Sequence, residues 1–211
     1  MAQDDGIKMT KQNLIEQIVN LEWNMLISVI AIDDPDKCRE DPITFQIMRK
    51  SQHLIWSEDT LSNYFADLQL AESQHVNMAA ERYAHMMKVT HPSEYEKIKN
   101  DLRPVTIEAV QLVKKIMEIF SAWGAEVDKR YPNIRSFGRP ATENGTWTSV
   151  DTYLRGELLT YSEKTLSLCL HDIYLAQEQS INLSEMILLH TARFYGFQSL
   201  ADMEKQIACL I

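Results

Sequence analysis

Few residues break this chain. Six glycines and six prolines are spread over 211 positions, about half the roughly 12% of average usage. So few interruptions commit the chain to long helices, because β sandwiches and barrels need turn residues at short, regular intervals. Hydrophobic residues make up 45%, enough for a sizeable core without disulfide or metal staples. No stretch alternates apolar and polar residues as a half-buried strand would. The expectation is all-α: a single-domain bundle over residues 1–211, of about eight helices.

Capping signals mark the helices. Thr10 opens one that runs to about Ile32, and Asp41-Pro42 opens a second to about Trp56. Ser57, followed by Glu58 and Asp59, starts a third, and Asn77 a fourth. A short helix follows Ser93, and Thr106 begins a long one through Trp123. Beyond it the pattern predicts one helix from about Val150 to Gln179, another from Leu183 to Tyr195 and a last from Ser199. Residues 132–149 hold two glycines and two prolines with no apolar period. They form the one long loop, ordered by Ile134, Phe137 and Trp147. No internal repeat and no linker divide the chain.

Against 21 basic residues stand 30 acidic ones, a net charge of −9. A chain of that sign repels phosphate backbones, and its densest basic stretch, Lys97 to Arg103, is interrupted by Asp101, so no nucleic-acid partner is expected. Cys38, Cys169 and Cys209 lie far apart, which excludes a zinc ribbon and suits a reducing, cytoplasmic setting. The strongest apolar run, Met25–Ile32, is far shorter than the about 20 residues of a membrane span.

The informative residues are charges on apolar stripes, where an amphipathic helix keeps none. Glu22 shares a face with Ile15, Ile18, Leu26 and Val29. Arg49 and Gln52 fall between Phe45 and Trp56, and Glu81 sits beside Tyr83 and Ala84. Tyr153, Glu157 and Tyr161 form one stripe, with Arg155 beginning the opposite side. A buried carboxylate costs several kcal/mol unless paired or protonated. Such a set either pairs structurally, with Arg49, Arg82 and Arg155 as partners, or serves a ligand. The ligand alternative makes the chain a small-molecule enzyme for a polar or anionic substrate, of open reaction class. Glu157, Glu81 and Tyr161 are then the catalytic candidates, with a carboxyl pKa raised by burial. Arg49, Gln52, Tyr153, Arg155 and Glu22 bind substrate, and Arg139 on the long loop closes over it.

Glu72 and His75 make one Glu-x-x-His element, but the second copy that a di-iron bundle needs is missing. A carboxylate-rich metal enzyme using Glu22, Glu81 and Glu157 with His85 or His171 stays an alternative, with no metal ligand assigned. No phosphate-loop, dinucleotide or nucleophile-elbow motif is present, so the cofactor stays unknown. A third alternative is a non-catalytic module that presents a helical surface to a protein partner or to a second copy.

Six segments in order carry a family resemblance: LEWNM at 21–25, TFQIMRKSQ with Trp56, NMAAERYAHMM at 77–87, RYP at 130–132, TSVDTYLRGELLTYSEKTL at 148–166 and YGFQSL at 195–200. Over about residues 10–205 the chain resembles a bacterial family known as domain of unknown function 4125. The resemblance implies a bacterial protein with a shared site. Matching motif positions are Glu22, Trp23, Arg49, Gln52, Trp56, Asn77, Glu81, Tyr83, Arg139, Tyr153, Arg155, Glu157 and Tyr161. It also implies a nucleotidyltransferase-like protein as the kind of partner an accessory module would serve. Gln74-His75-Val76 stands where the family carries Gly-Arg before Asn77.

Overall fold

The computed structural model describes residues 10–29, 41–137 and 148–209. Within them the chain is all helical, with eleven helices rather than about eight. They are α1 (Lys11–Ile27), α2 (Pro42–His53), α3 (Glu58–Ser73), α4 (Met78–Thr90), α5 (Pro92–Ile98), α6 (Ile107–Arg130), α7 (Pro132–Phe137), α8 (Val150–Leu158), α9 (Glu163–Glu178), α10 (Leu183–Phe194) and α11 (Leu200–Ala208). Two corrections account for much of the difference. The predicted loop at 132–149 begins with α7, and its residues 138–147, Arg139 and Trp147 among them, lie outside the described residues. The predicted helix from Val150 to Gln179 is two helices, broken at 159–162. Ser162 ends the first run by capping the second: its hydroxyl accepts from the Thr165 N–H. No helix among the described residues is long and apolar enough to cross a membrane.

That break exposes an internal repeat, contrary to expectation. Ser57, Thr60, Leu61, Asp67, Ala71, Gln74 and Asn77 recur at one constant spacing as Ser162, Thr165, Leu166, Asp172, Ala176, Gln179 and Asn182. The helices keep the same step: α2, α3 and α4 correspond to α8, α9 and α10. Both units turn from their second to their third helix through a left-handed residue, His75 (φ 58°) and Ser180 (φ 57°). The Val76 and Ile181 N–H groups each reach back 2.8 Å to a carbonyl, of Ala71 and of Ala176. The long helices α1 and α6 complete the pair. Asn77 Nδ2 donates to the Met25 carbonyl (2.8 Å) and Asn182 Nδ2 to that of Trp123 (3.2 Å), which fixes their register.

The two units meet as a self-complementary pair does, each contact occurring twice with roles exchanged. Helix α3 packs on α9, α4 on α8, and α2 on α10. Asp172 of α9 accepts from the Ser57 N–H (2.9 Å) and the Thr60 hydroxyl (2.6 Å) at the start of α3. Asp67 of α3 does the same for the Ser162 N–H (3.1 Å) and the Thr165 hydroxyl (2.7 Å) at the start of α9. Each unit has its own core, one around Ile18, Leu61 and Leu68, the other around Ile116, Leu166 and Ile173. Trp56 and Tyr161, counterparts in the repeat, touch both cores. Because each aspartate satisfies two donors at a helix start, Asp67→Ala or Asp172→Ala should each cost about 1–2 kcal/mol in urea denaturation.

Candidate active site

Five helices and one turn bring a charged cluster together between the units. Arg49, on α2 and 3% exposed, is its centre. Its Nε–H donates to Glu22 Oε2 (2.9 Å) and one Nη2 hydrogen to Glu22 Oε1. The other Nη2 hydrogen goes to Glu157 Oε1 (2.7 Å), and Nη1 serves Glu157 Oε2 (2.9 Å) and Gln52 Oε1 (2.5 Å). A guanidinium has five N–H groups, and all are spent. Gln52 and Glu157 occupy matching positions of the repeat and meet on the same nitrogen.

Tyrosines close the cluster on both sides. The Tyr64 hydroxyl donates to Glu22 (2.8 Å) and the Tyr161 hydroxyl to Glu157 (2.6 Å), and the two rings lie 4.5 Å apart. His53 Nε2 lies 3.1 Å from both Glu22 oxygens and donates to that carboxylate, while Nδ1 finds no partner among the described residues.

Arg82 on α4 is the second guanidinium. Its Cζ lies 4.8 Å from the Tyr153 ring centre and 5.3 Å from that of Tyr83. Nη1 approaches Glu157 Oε2 only to 3.9 Å, and the buried Nε–H has no acceptor among the described residues. A cavity of about 20 Å³ is lined by Arg82, Glu22, Glu157, Tyr64 and Thr160 together with Met25, Phe45, Leu68, Met78 and Ala79. A water molecule needs roughly 10–15 Å³ on this measure, so the cavity as it stands holds about one.

Several expected positions move. Glu157 was expected above the ordinary carboxylate range. Burial does push it up, but the charge and hydrogen bonds of Arg49, with Arg82, more than offset that and hold it lower. Glu22 is likewise held well below, burial being outweighed by Arg49 and His53. Burial, then the carboxylates, push Tyr64 and Tyr161 well up, so both stay protonated donors. Glu81 stands apart: it pairs with Arg103, whose Nε lies 2.8 Å away and whose Nη2 also reaches the Thr160 carbonyl (3.1 Å). Arg155 is exposed, Tyr153 stacks on Arg82, and Arg139 lies outside the described residues. The structure thus joins Glu22, Arg49, Gln52, Glu157 and Tyr161. It adds Arg82, Tyr64 and His53, which sequence reasoning left out of the site.

The pKa directions set a pH dependence. Both carboxylates are lower when folded than the unfolded value of about 4.3, so their contribution is complete above that pH. It is lost as pH falls toward their folded values. Unfolding free energy should stay flat from pH 7 to about 5 and drop steeply below about 4. Urea titrations across that range check this.

Among the described residues no three His, Cys, Asp or Glu side chains stand close enough to hold a metal ion, and Glu72 and His75 are exposed. No curated protein and no solved structure matches the chain. The profile of the family described as Protein of unknown function (DUF4125) matches residues 12–205, and the chain belongs to that family.

Proposed function

We propose that the protein binds a small polar molecule at the cluster around Arg49 and Arg82, as an enzyme whose acid–base group is Glu157. The observation that carries this is the other half of the repeat. Where one unit has Arg49, His53, Tyr64 and Arg82, the other has Leu154, Leu158, Cys169 and Ile187. The Asn77 and Asn182 contacts align Glu22 with Phe120 in the same way. Leu158, Cys169 and Phe120 are buried in that unit's core, with Leu154 and Ile187 packed against it. The same helices therefore pack with an apolar filling, and the architecture does not demand the charges. Buried ion networks are often no more stabilising than well-packed hydrophobic residues of similar volume. The presence of Glu22, Arg49 and Arg82 in one unit, where their counterparts are apolar, is best explained by a ligand.

The chemistry follows from what is left uncommitted. Arg49 has no free donor and acts as organiser, holding Glu22 and Glu157 ionised and in place. Glu157 Oε2 faces Arg82 across 3.9 Å. It is the group able to take a proton from a bound molecule, with Arg82 beside it to stabilise the resulting oxyanion. The small cavity favours a second reading, a module acting through a protein partner. A thermal-shift screen of small polar compounds separates the two. Compounds that raise the melting temperature of the wild type, but not of a variant in which the charges are removed together (Glu22→Leu, Arg49→Leu, His53→Leu, Arg82→Ile and Glu157→Leu), support the ligand site. No such compound, or an equal rise in both proteins, contradicts it.

A further inference from the structure

The charge count narrows the ligand, on the reading that the cluster is a ligand site. Four buried formal charges meet there, those of Glu22, Glu157, Arg49 and Arg82, and they cancel. Glu22 answers Arg49 through two parallel hydrogen bonds, and Glu157 lies between Arg49 and Arg82. His53 Nε2 stands 3.1 Å from Glu22, on the far side of that carboxylate's pairing with Arg49. A bound anion would leave one uncompensated negative charge in a nearly dry site beside two carboxylates, at a cost of several kcal/mol. A cation would leave the opposite excess against Arg82. The anionic substrate expected from the arginines alone is therefore disfavoured, since Arg49 has nothing left to offer it.

What the site lacks is one acceptor and one donor. Arg82 Nε–H has no acceptor among the described residues, and Glu157 Oε2 stands 3.9 Å from Arg82 Nη1. That separation is too long for a direct bond and suits two groups joined through a third. We infer that the cavity takes a neutral polar group, a hydroxyl or a primary carboxamide, accepting from Arg82 and donating to Glu157. Met25, Phe45, Leu68, Met78 and Ala79 also line the cavity, so the group it takes carries an apolar body. Met25 and Met78 in that lining have unbranched thioether side chains, which re-pack more readily than branched ones.

Nuclear magnetic resonance on the full chain tests this, following the Arg82 Nε–H signal during titration with propionamide, 1-propanol or propionate. Propionamide or 1-propanol should shift that signal and bind at least tenfold tighter than propionate, and which of the two is tighter assigns the group. Arg82→Lys, which keeps the charge but loses the Nε–H and the planar stack, should weaken that binding at least tenfold. Lys115→Ala, on the exposed face of α6, should leave it unchanged. Tighter binding of propionate overturns the neutral-group assignment and leaves the ligand-site reading standing. An unmoved Arg82 signal with all three probes overturns the assignment, while the wider screen decides the ligand-site reading separately. Equal binding by Arg82→Lys also overturns it; if that variant does not fold, the wild-type Nε–H response decides alone.

Discussion

Arg49→Leu alone should lower stability by about 3–5 kcal/mol, the cost of breaking a buried pair from one side. The leucine matches Leu154, the residue at the corresponding place in the repeat, so shape is not the obstacle. The loss comes from Glu22 and Glu157. Both are buried, and each loses hydrogen bonds from the one guanidinium. Tyr64, His53 and Tyr161 continue to donate to them, but only Arg82, at 3.9 Å from Glu157, remains to balance two negative charges. The carboxylates must then protonate, so the midpoint of acid unfolding should move to higher pH. Removing the carboxylates together with the arginine should restore most of the stability, because the unpaired charge goes with them. Chemical denaturation of the single and the combined variants measures both effects.

Gly156→Ala is the second large effect, and its cause is steric. A Cβ at Gly156 would lie 2.9 Å from the Arg82 carbonyl oxygen and 2.7 Å from Met86 Cγ. The methionine end can turn away, but the carbonyl belongs to the backbone of α4 and moves only if α4 and α8 separate. Alanine is the better helix former by about 1 kcal/mol, yet overpacking of this kind costs about 1–3 kcal/mol. A net loss is expected, and the separation would carry Arg82 away from Glu157. Ligand affinity should therefore fall further than stability does. By contrast Gly124, with nothing within 4 Å of a built Cβ, should accept alanine with a small gain.

The sequence disclosed the helical class because capping residues and the shortage of Gly and Pro are local signals. Glu22, Arg49 and Glu157 were legible for a related reason: a charge on an apolar stripe violates a periodicity that one helix defines by itself. Arg82 was harder to see. It follows Glu81, and adjacent residues on a helix point about 100° apart, so Glu81 turns to Arg103 while Arg82 reaches the cluster. Tyr64 lies in an apolar run and reads as core, which it also is. Its hydroxyl acquires a role only when α1 is packed against α3. The break after Leu158 was hidden because LLTYSEKTL stays apolar enough to continue a helix. The signal that finds it is the echo of Ser57 and Thr60 in Ser162 and Thr165, visible when distant segments are compared at a fixed spacing. That comparison also supplies the functional argument, since it shows the same packing with and without charges.

The most direct test replaces the whole cluster with apolar residues, taking the counterpart's own residue at 49, 53 and 82. One variant carries Glu22→Leu, Arg49→Leu, His53→Leu, Tyr64→Phe, Arg82→Ile, Glu157→Leu and Tyr161→Phe, and the quantity measured is its unfolding free energy in urea. If the charges serve a ligand, this variant folds with the same helix content and a stability within about 2 kcal/mol of the wild type, or above it. If it is unfolded, or weaker by more than the single Arg49→Leu variant, the network holds the fold together and the ligand site proposed for it is contradicted.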